Sequence, residues 1–164
     1  MDVSLVKIDK EHRNILENLF HYYVYDMSYF LALSLHENGQ FGFNKSQFDA
    51  YWDKDDHVPY FIYVGSELAG FVLFRKYPLD LSINDIEQFF VLRTFKGKGI
   101  GKKAFELVTQ SFPGKWQIRV LLENVDALHF WKSSVSNIVG QDYTLSKDID
   151  TDLLMFFIRF EIAC

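Results

Sequence analysis

The sequence predicts a mixed α/β domain built on a central, largely antiparallel sheet. Three observations lead there. The order of periodic segments is a strand, helices, three strands, a helix, a strand, a helix and two strands. Two β-rich runs are joined by a short Gly-Ser-Glu connection, as in a hairpin. A glycine-rich stretch then separates a strand from a helix in mid-chain.

Taken in order, residues 3–8 alternate loosely and read as the first strand. From Ile15 the apolar positions Ile15, Leu16, Leu19, Phe20, Tyr22 and Tyr23 recur at helical spacing, and the stretch Tyr22 to Leu35 reads as more helix, broken by Gly39 to Gly42. Pro59 to Val64 and Leu68 to Arg75 are rich in β-branched and aromatic residues and form the hairpin around Gly65-Ser66-Glu67. Ile83 to Leu92 carries apolar groups at both parities, as a strand covered on both faces does. After the loop 93–99, a helix runs from Ile100 to Phe112, with Ile100, Ala104, Leu107 and Val108 on one side and Pro113-Gly114 as its stop. Trp116 to Leu122 is a strand and Val125 to Ser134 a helix. Strands near Tyr143–Leu145 and over Leu153–Ile162 complete the chain.

The chain of 164 residues is of single-domain length and can bury a substantial core. Its 17 Phe and 9 Tyr suit the packing between a sheet and its helices. The net charge of −5 argues against nucleic acid as a partner, since phosphate binding needs a basic face, and is compatible with a cationic substrate. Cys164 is the only cysteine, so no internal disulfide is available. No signal-peptide pattern and no apolar run of membrane length is present, so a cytoplasmic protein is expected, with no membrane partner; Asn44-Lys45-Ser46 is then a chance glycosylation match. His12, His21, His36, His57 and His129 lack metal-ligand spacing, and no metal is expected. Nothing in the sequence opposes a homodimer.

The junction between the strand ending near Leu92 and the helix beginning near Ile100 carries the chemistry. Gly97, Gly99 and Gly101 let backbone N–H groups approach an anion, and the helix N-terminus adds partial positive charge. Lys96, Lys98, Lys102 and Lys103 surround the same spot, which suits a pyrophosphate. A P-loop is excluded, because Lys96 stands where its first Gly belongs and Lys103 where its hydroxyl belongs. A dinucleotide fingerprint fails because position 102 is Lys and several strands precede the loop.

The segment from Phe90 to Gly101, Phe-Val-Leu-Arg-Thr-Phe-Lys-Gly-Lys-Gly-Ile-Gly, resembles the coenzyme A-binding motif of GNAT N-acetyltransferases, Arg/Gln-x-x-Gly-x-Gly/Ala. Lys96 takes the Arg/Gln position, keeping the charge without the fork. Asn124-Val125-Asp126-Ala127-Leu128-His129-Phe130-Trp131 resembles the family's second motif, and the strand order agrees over nearly the whole chain. The resemblance implies a central mixed, mostly antiparallel sheet of six to seven strands flanked by helices. It implies acetyl-CoA as co-substrate, held by the loop 96–101 with Lys102, by backbone groups around Phe90, Val91 and Leu92, and by Asn124, with Ala127 and Trp131 beside it.

It also implies N-acetylation of a small-molecule or peptide amine by direct attack. Glu87 is then the candidate base, its pKa expected to rise among Phe and Val side chains. Trp131 stands where relatives commonly place a Tyr thought to protonate the leaving thiolate; an indole cannot supply that proton, and Tyr143 is a candidate replacement. That substitution keeps a second reading open, a non-catalytic acetyl-CoA sensor; transfer of another acyl group is a third. The run Asp53-Lys54-Asp55-Asp56 reads first as a solvated loop and second as an attractor for a cationic acceptor. Tyr22-Tyr23-Val24-Tyr25-Asp26 lies where the family's first helices shape the acceptor pocket, and aromatic walls with Asp26 would suit an amine, although helix packing is the preferred account.

Overall fold

Seven strands make one sheet in the computed structural model, which describes all 164 residues. They are β1 (Val3–Lys7), β2 (His57–Val64), β3 (Glu67–Tyr77), β4 (Asp80–Val91), β5 (Gly114–Leu121), β6 (Tyr143–Asp150) and β7 (Leu153–Ile162), in the spatial order β1-β2-β3-β4-β5-β7-β6. The helices are α1 (Arg13–Met27), the short α2 (Ala50–Asp53), α3 (Ile100–Ser111) and α4 (Val125–Val139). No helix is long and apolar enough to cross a membrane.

Alternation along β3 sorts the core into two layers. Val72 and Phe74 face α3 and α4 in a cluster with Ile86, Phe105, Trp116, Trp131 and Phe160. Phe71 and Leu73 face α1 and α2 in a second cluster with Leu16, Phe20, Phe48, Tyr51 and Phe90. Each large side chain buried this way contributes about 1.5–3 kcal/mol.

Every neighbouring pair of strands is antiparallel except β4 and β5, which pair in parallel only over Ile83–Asp85 and Lys115–Gln117. Side chains clamp this short contact. Asp85, fully buried, accepts from Arg75 Nε at 2.9 Å and from Arg119 at 3.1 and 3.2 Å. Asn84 Nδ2 donates to the carbonyl of Phe112 at 3.0 Å, where α3 passes into β5. Past the clamp the strands diverge. In β4 the register with β3 slips at the same height: Leu73 pairs with Gln88 and Phe74 with Ile86, so Glu87 is the extra residue of a β-bulge.

The elements depart from the sequence reading in four places. Helix α1 stops at Met27 rather than continuing to Leu35. Its buried face is Leu16, Leu19, Phe20 and Val24, whereas Leu31, Leu33 and Leu35 recur every second residue and are exposed, so no helical stripe remains to be buried. A compact turn over 45–53, holding buried Phe48 and Tyr51, was not anticipated. Helix α4 runs to Val139, carried past Ser134 by buried Val135 and stopped by Gly140 at φ 65°. Strand β6 extends to Asp150; it is exposed almost throughout, so its polar residues conceal its period.

Candidate active site

The divergence of β4 and β5 opens a cavity of about 790 Å³. Strand β4 lends it Phe89, Phe90 and Val91, the following loop Arg93, Phe95, Lys96, Gly97 and Gly99, and α3 Ile100, Gly101 and Lys102. The start of α4 contributes Asn124, Ala127, Phe130 and Trp131, and the end of α1 Tyr23, Asp26 and Met27. Of the residues the sequence assigned to coenzyme A, Leu92 and Lys98 do not line it.

The loop is shaped for an anion. Gly97 and Gly99 sit at φ 76° and 77°, and a Cβ built on either meets nothing within 4 Å, so the space above the loop is open. The first backbone bond of α3 runs from Lys103 N–H to the Gly99 carbonyl, leaving the N–H groups of Ile100, Gly101 and Lys102 without helical partners. These free donors, the helix dipole and Lys96 converge on one end of the cavity. The residues present therefore fit a pyrophosphate. Lys102 reaches Ser133 Oγ at 2.9 Å, whereas Lys103 is turned to Glu106 at 3.5 Å. Arg93, which the sequence reading passed over, is a further cation of this end; its signal was its place within the loop itself.

The backbone of β4 offers a ladder toward the gap, but of the three residues expected only Val91 takes part. Leu92 N–H donates to the Ala69 carbonyl at 2.8 Å and its carbonyl accepts from Phe95, so Leu92 is committed to β3 and to the turn. Antiparallel pairing alternates, so Phe90, opposite Phe71, is committed as well. Phe89 and Val91 are left to direct their N–H and C=O groups into the gap. Counting parity back from Leu92 would have found Phe89.

Asn124 caps α4: its Oδ1 accepts from Ala127 N–H at 3.1 Å, leaving the Nδ2 donor for a ligand. Trp131 is nearly buried, edge-on to Phe89 at 5.0 Å and to Phe105 at 5.1 Å. The indoles of Trp52 and Trp116 donate to the carbonyls of Ile8 and Phe112; that of Trp131 bonds to no protein group and borders the cavity. Tyr143 is packed on β7 opposite Phe160 and is not part of the cavity. Two phenols do border it, Tyr23 and Tyr29; burial pushes the pKa of Tyr23 above its ordinary value, with Arg119 opposing and Glu87 adding to the rise.

Glu87 is not set among Phe and Val side chains. The bulge turns it to the α2 side, where Arg75 Nη1 lies 2.6 Å from one oxygen and Tyr51 Oη donates to the other at 2.9 Å. It borders a smaller cavity of about 360 Å³, shared with Arg75, Lys54, Asp56 and His57. Of the acidic run, Asp56 there accepts a 2.7 Å contact from His57, which lowers its pKa. The ligand atoms of exposed Asp9, Glu11 and His12 lie within 4.8 Å of one another, and none of the three lines either cavity.

Comparison with known proteins agrees with this geometry. No curated protein matches the sequence. Among solved structures, the chain is similar to an acetyltransferase from Thermus thermophilus, with a TM-score of 0.70, 14% identity and coverage of 99% of this chain and 98% of that one. It is also similar to PaiA N-acetyltransferase from Thermoplasma acidophilum in complex with coenzyme A, with a TM-score of 0.64, 12% identity and coverage of 98% and 99%. A third likeness is to spermidine N-acetyltransferase from Vibrio cholerae in complex with CoA and spermine, with a TM-score of 0.65, 12% identity and coverage of 96% and 93%. At such identities these likenesses establish the fold. The profile of the Acetyltransferase (GNAT) family matches residues 23–134, a span that holds the end of α1, the strand divergence, the glycine loop and most of α4, and the chain belongs to that family.

Proposed function

We propose that this protein moves an acetyl group from acetyl-CoA to a primary amine by direct attack. The observation that carries the reading is the cavity between β4 and β5, lined by an open glycine loop with free N–H groups and, facing that loop's cations, by Tyr23 and Asp26 of α1. Lys96, Lys102 and the N–H groups of Ile100 and Gly101 would hold the pyrophosphate, and Arg93 would add its fork. Phe89 and Val91 would pair with the pantetheine arm as a missing strand would, with Asn124 Nδ2 as a further donor. Bound acetyl-CoA supplies the thioester. An acceptor entering from the α1 side must be a neutral amine to react, and its proton needs an exit. We assign that exit to Glu87 acting through water, because both its oxygens are engaged by Arg75 and Tyr51 and it does not border the larger cavity directly. Relatives named for spermidine support an amine as acceptor.

Thermal unfolding tests the donor half. Acetyl-CoA at a hundredfold over its dissociation constant is expected to stabilise the fold by about 2.7 kcal/mol, a rise in Tm of roughly 5–11 °C. Gly99→Val, which forces a branched side chain onto a positive φ, is expected to abolish the rise. No shift with wild type at millimolar ligand overturns the donor. Steady-state turnover on an amine panel tests the acceptor half. Trp131, which cannot release a proton, favours one other reading, an acetyl-CoA sensor; binding without turnover on any amine would establish it. Exchange of the acyl donor tests whether the group moved is acetyl.

A further inference from the structure

Asp26 stands at the last turn of α1, within the cavity, and its side chain is only 19% exposed. Both its oxygens face cations of the glycine-loop end: Arg93 Nη2 lies 3.0 Å from one and Lys96 Nζ 3.8 Å from the other. Those two side chains are 77% and 55% exposed, so each pair is a single contact made in solvent, the kind that contributes little. A guanidinium also suits the paired oxygens of a phosphate better than one carboxylate oxygen. A diphosphate arriving at the loop thus competes with Asp26 for Arg93 and Lys96, and the contest favours the diphosphate.

We propose that Asp26 is a donor-gated carboxylate. In the free protein Arg93 and Lys96 neutralise it. When the diphosphate of the donor engages those cations, the charge of Asp26 is left uncompensated beside Tyr23, inside the same cavity. It then holds a cationic group of the acceptor, with the rings of Tyr23, Tyr29 and Phe30 as walls suited to a cation. The inference rests on the acetyl-CoA reading above and narrows it. The amine that reacts must be neutral, so the group held by Asp26 is a second, protonated one. The acceptor class is an amine carrying another cationic centre, and binding is ordered, donor before acceptor. By linkage, whatever factor the donor adds to acceptor affinity, the acceptor returns to the donor.

NMR titration without turnover tests this, using CoA as the donor probe, 1,4-diaminobutane as the cationic probe and 1,4-butanediol as its uncharged counterpart. Wild type is expected to bind the diamine about tenfold more tightly with saturating CoA than without, and the diol to show no such gain. Asp26→Asn is expected to lose the gain while binding CoA at least as tightly. Arg93→Ala, which frees one oxygen of Asp26, is expected to bind the diamine more tightly than wild type when CoA is absent, an effect that a merely structural role for the pair does not produce. If wild type binds CoA but the diamine gains nothing, or if folded Asp26→Asn keeps the gain, the gate is overturned and the acetyl-CoA reading stands. If wild type binds no CoA, both fall.

Discussion

An indole N–H donates a hydrogen bond but does not release its proton near neutral pH, and that is the chemistry Trp131 brings to the cavity. If it faces the thioester sulfur, Trp131→Tyr restores a group of pKa about 10 at a cost in packing against Phe89 and Phe105. Trp131→Tyr is therefore expected to keep or exceed the wild-type kcat, while Trp131→Phe falls by no more than about tenfold, the size of one neutral hydrogen bond. A thousandfold loss in a folded Phe variant would assign Trp131 another role. Glu87→Gln is expected to lower kcat by about 10²–10⁴-fold with CoA affinity unchanged; a drop below threefold hands the proton to solvent alone. The two residues were legible to different depths. The helix that brings Trp131 to the cavity could be read from the sequence because its motif is local, Asn124 to Trp131 spanning the start of one helix. The partners of Glu87 were not legible, because Arg75 and Tyr51 lie 12 and 36 residues away and meet it only through the sheet and α2. Gly70 escaped for the same reason: a Cβ there would collide with the carbonyl of Phe90, so β3 and β4 meet beside the site only because position 70 is bare.

The β4–β5 contact positions the cavity, since the two strands must touch at one end and separate at the other. Asp85 holds the touching end by taking Arg75 and Arg119 together in a site with no exposure. Removing one member of a buried ion pair leaves the others uncompensated, so Asp85→Ala is expected to cost about 3–5 kcal/mol in urea unfolding. A loss under about 1 kcal/mol would mean that Glu87 and Asp150, the other partners of the two arginines, suffice. None of this was legible as an element property: the sequence showed β4 as a strand buried on both faces, and burial of a charge at its centre looks in sequence like a break in an apolar run. What was legible followed period and punctuation. The hairpin of β2 and β3, the glycine junction and α3 each announce themselves within a dozen residues, whereas the end of α1 and the length of β6 depend on what those segments pack against.

The fold at large is shared with proteins of 10–14% identity, so what the chain retains is an order of elements and a divergence between two strands rather than particular side chains. The molecule closes that pattern with its own charges. Asp150, at the end of β6, accepts from Arg119 Nη1 at 2.6 Å and from Tyr77 Oη at 2.8 Å, tying the far edge of the sheet to β5 and β3. Burial alone would raise its pKa, but the hydrogen bond from Tyr77 and the charge of Arg119 outweigh burial and hold it below the ordinary carboxylate value. A carboxylate depressed in the folded state contributes stability above its unfolded pKa of about 3.9, and that contribution fades as pH falls through the folded value. The protein is therefore expected to lose stability below about pH 4, and Asp150→Asn to lose less over the same range. At neutral pH the variant should be the weaker by about 1–3 kcal/mol, the scale of hydrogen bonds to a charged group. Unfolding temperatures of both proteins from pH 7 down to about pH 3 decide the matter: the gap between them must narrow as Asp150 of the wild type takes up its proton, and two parallel curves would mean that the tie between Asp150 and Arg119 carries none of the acid sensitivity.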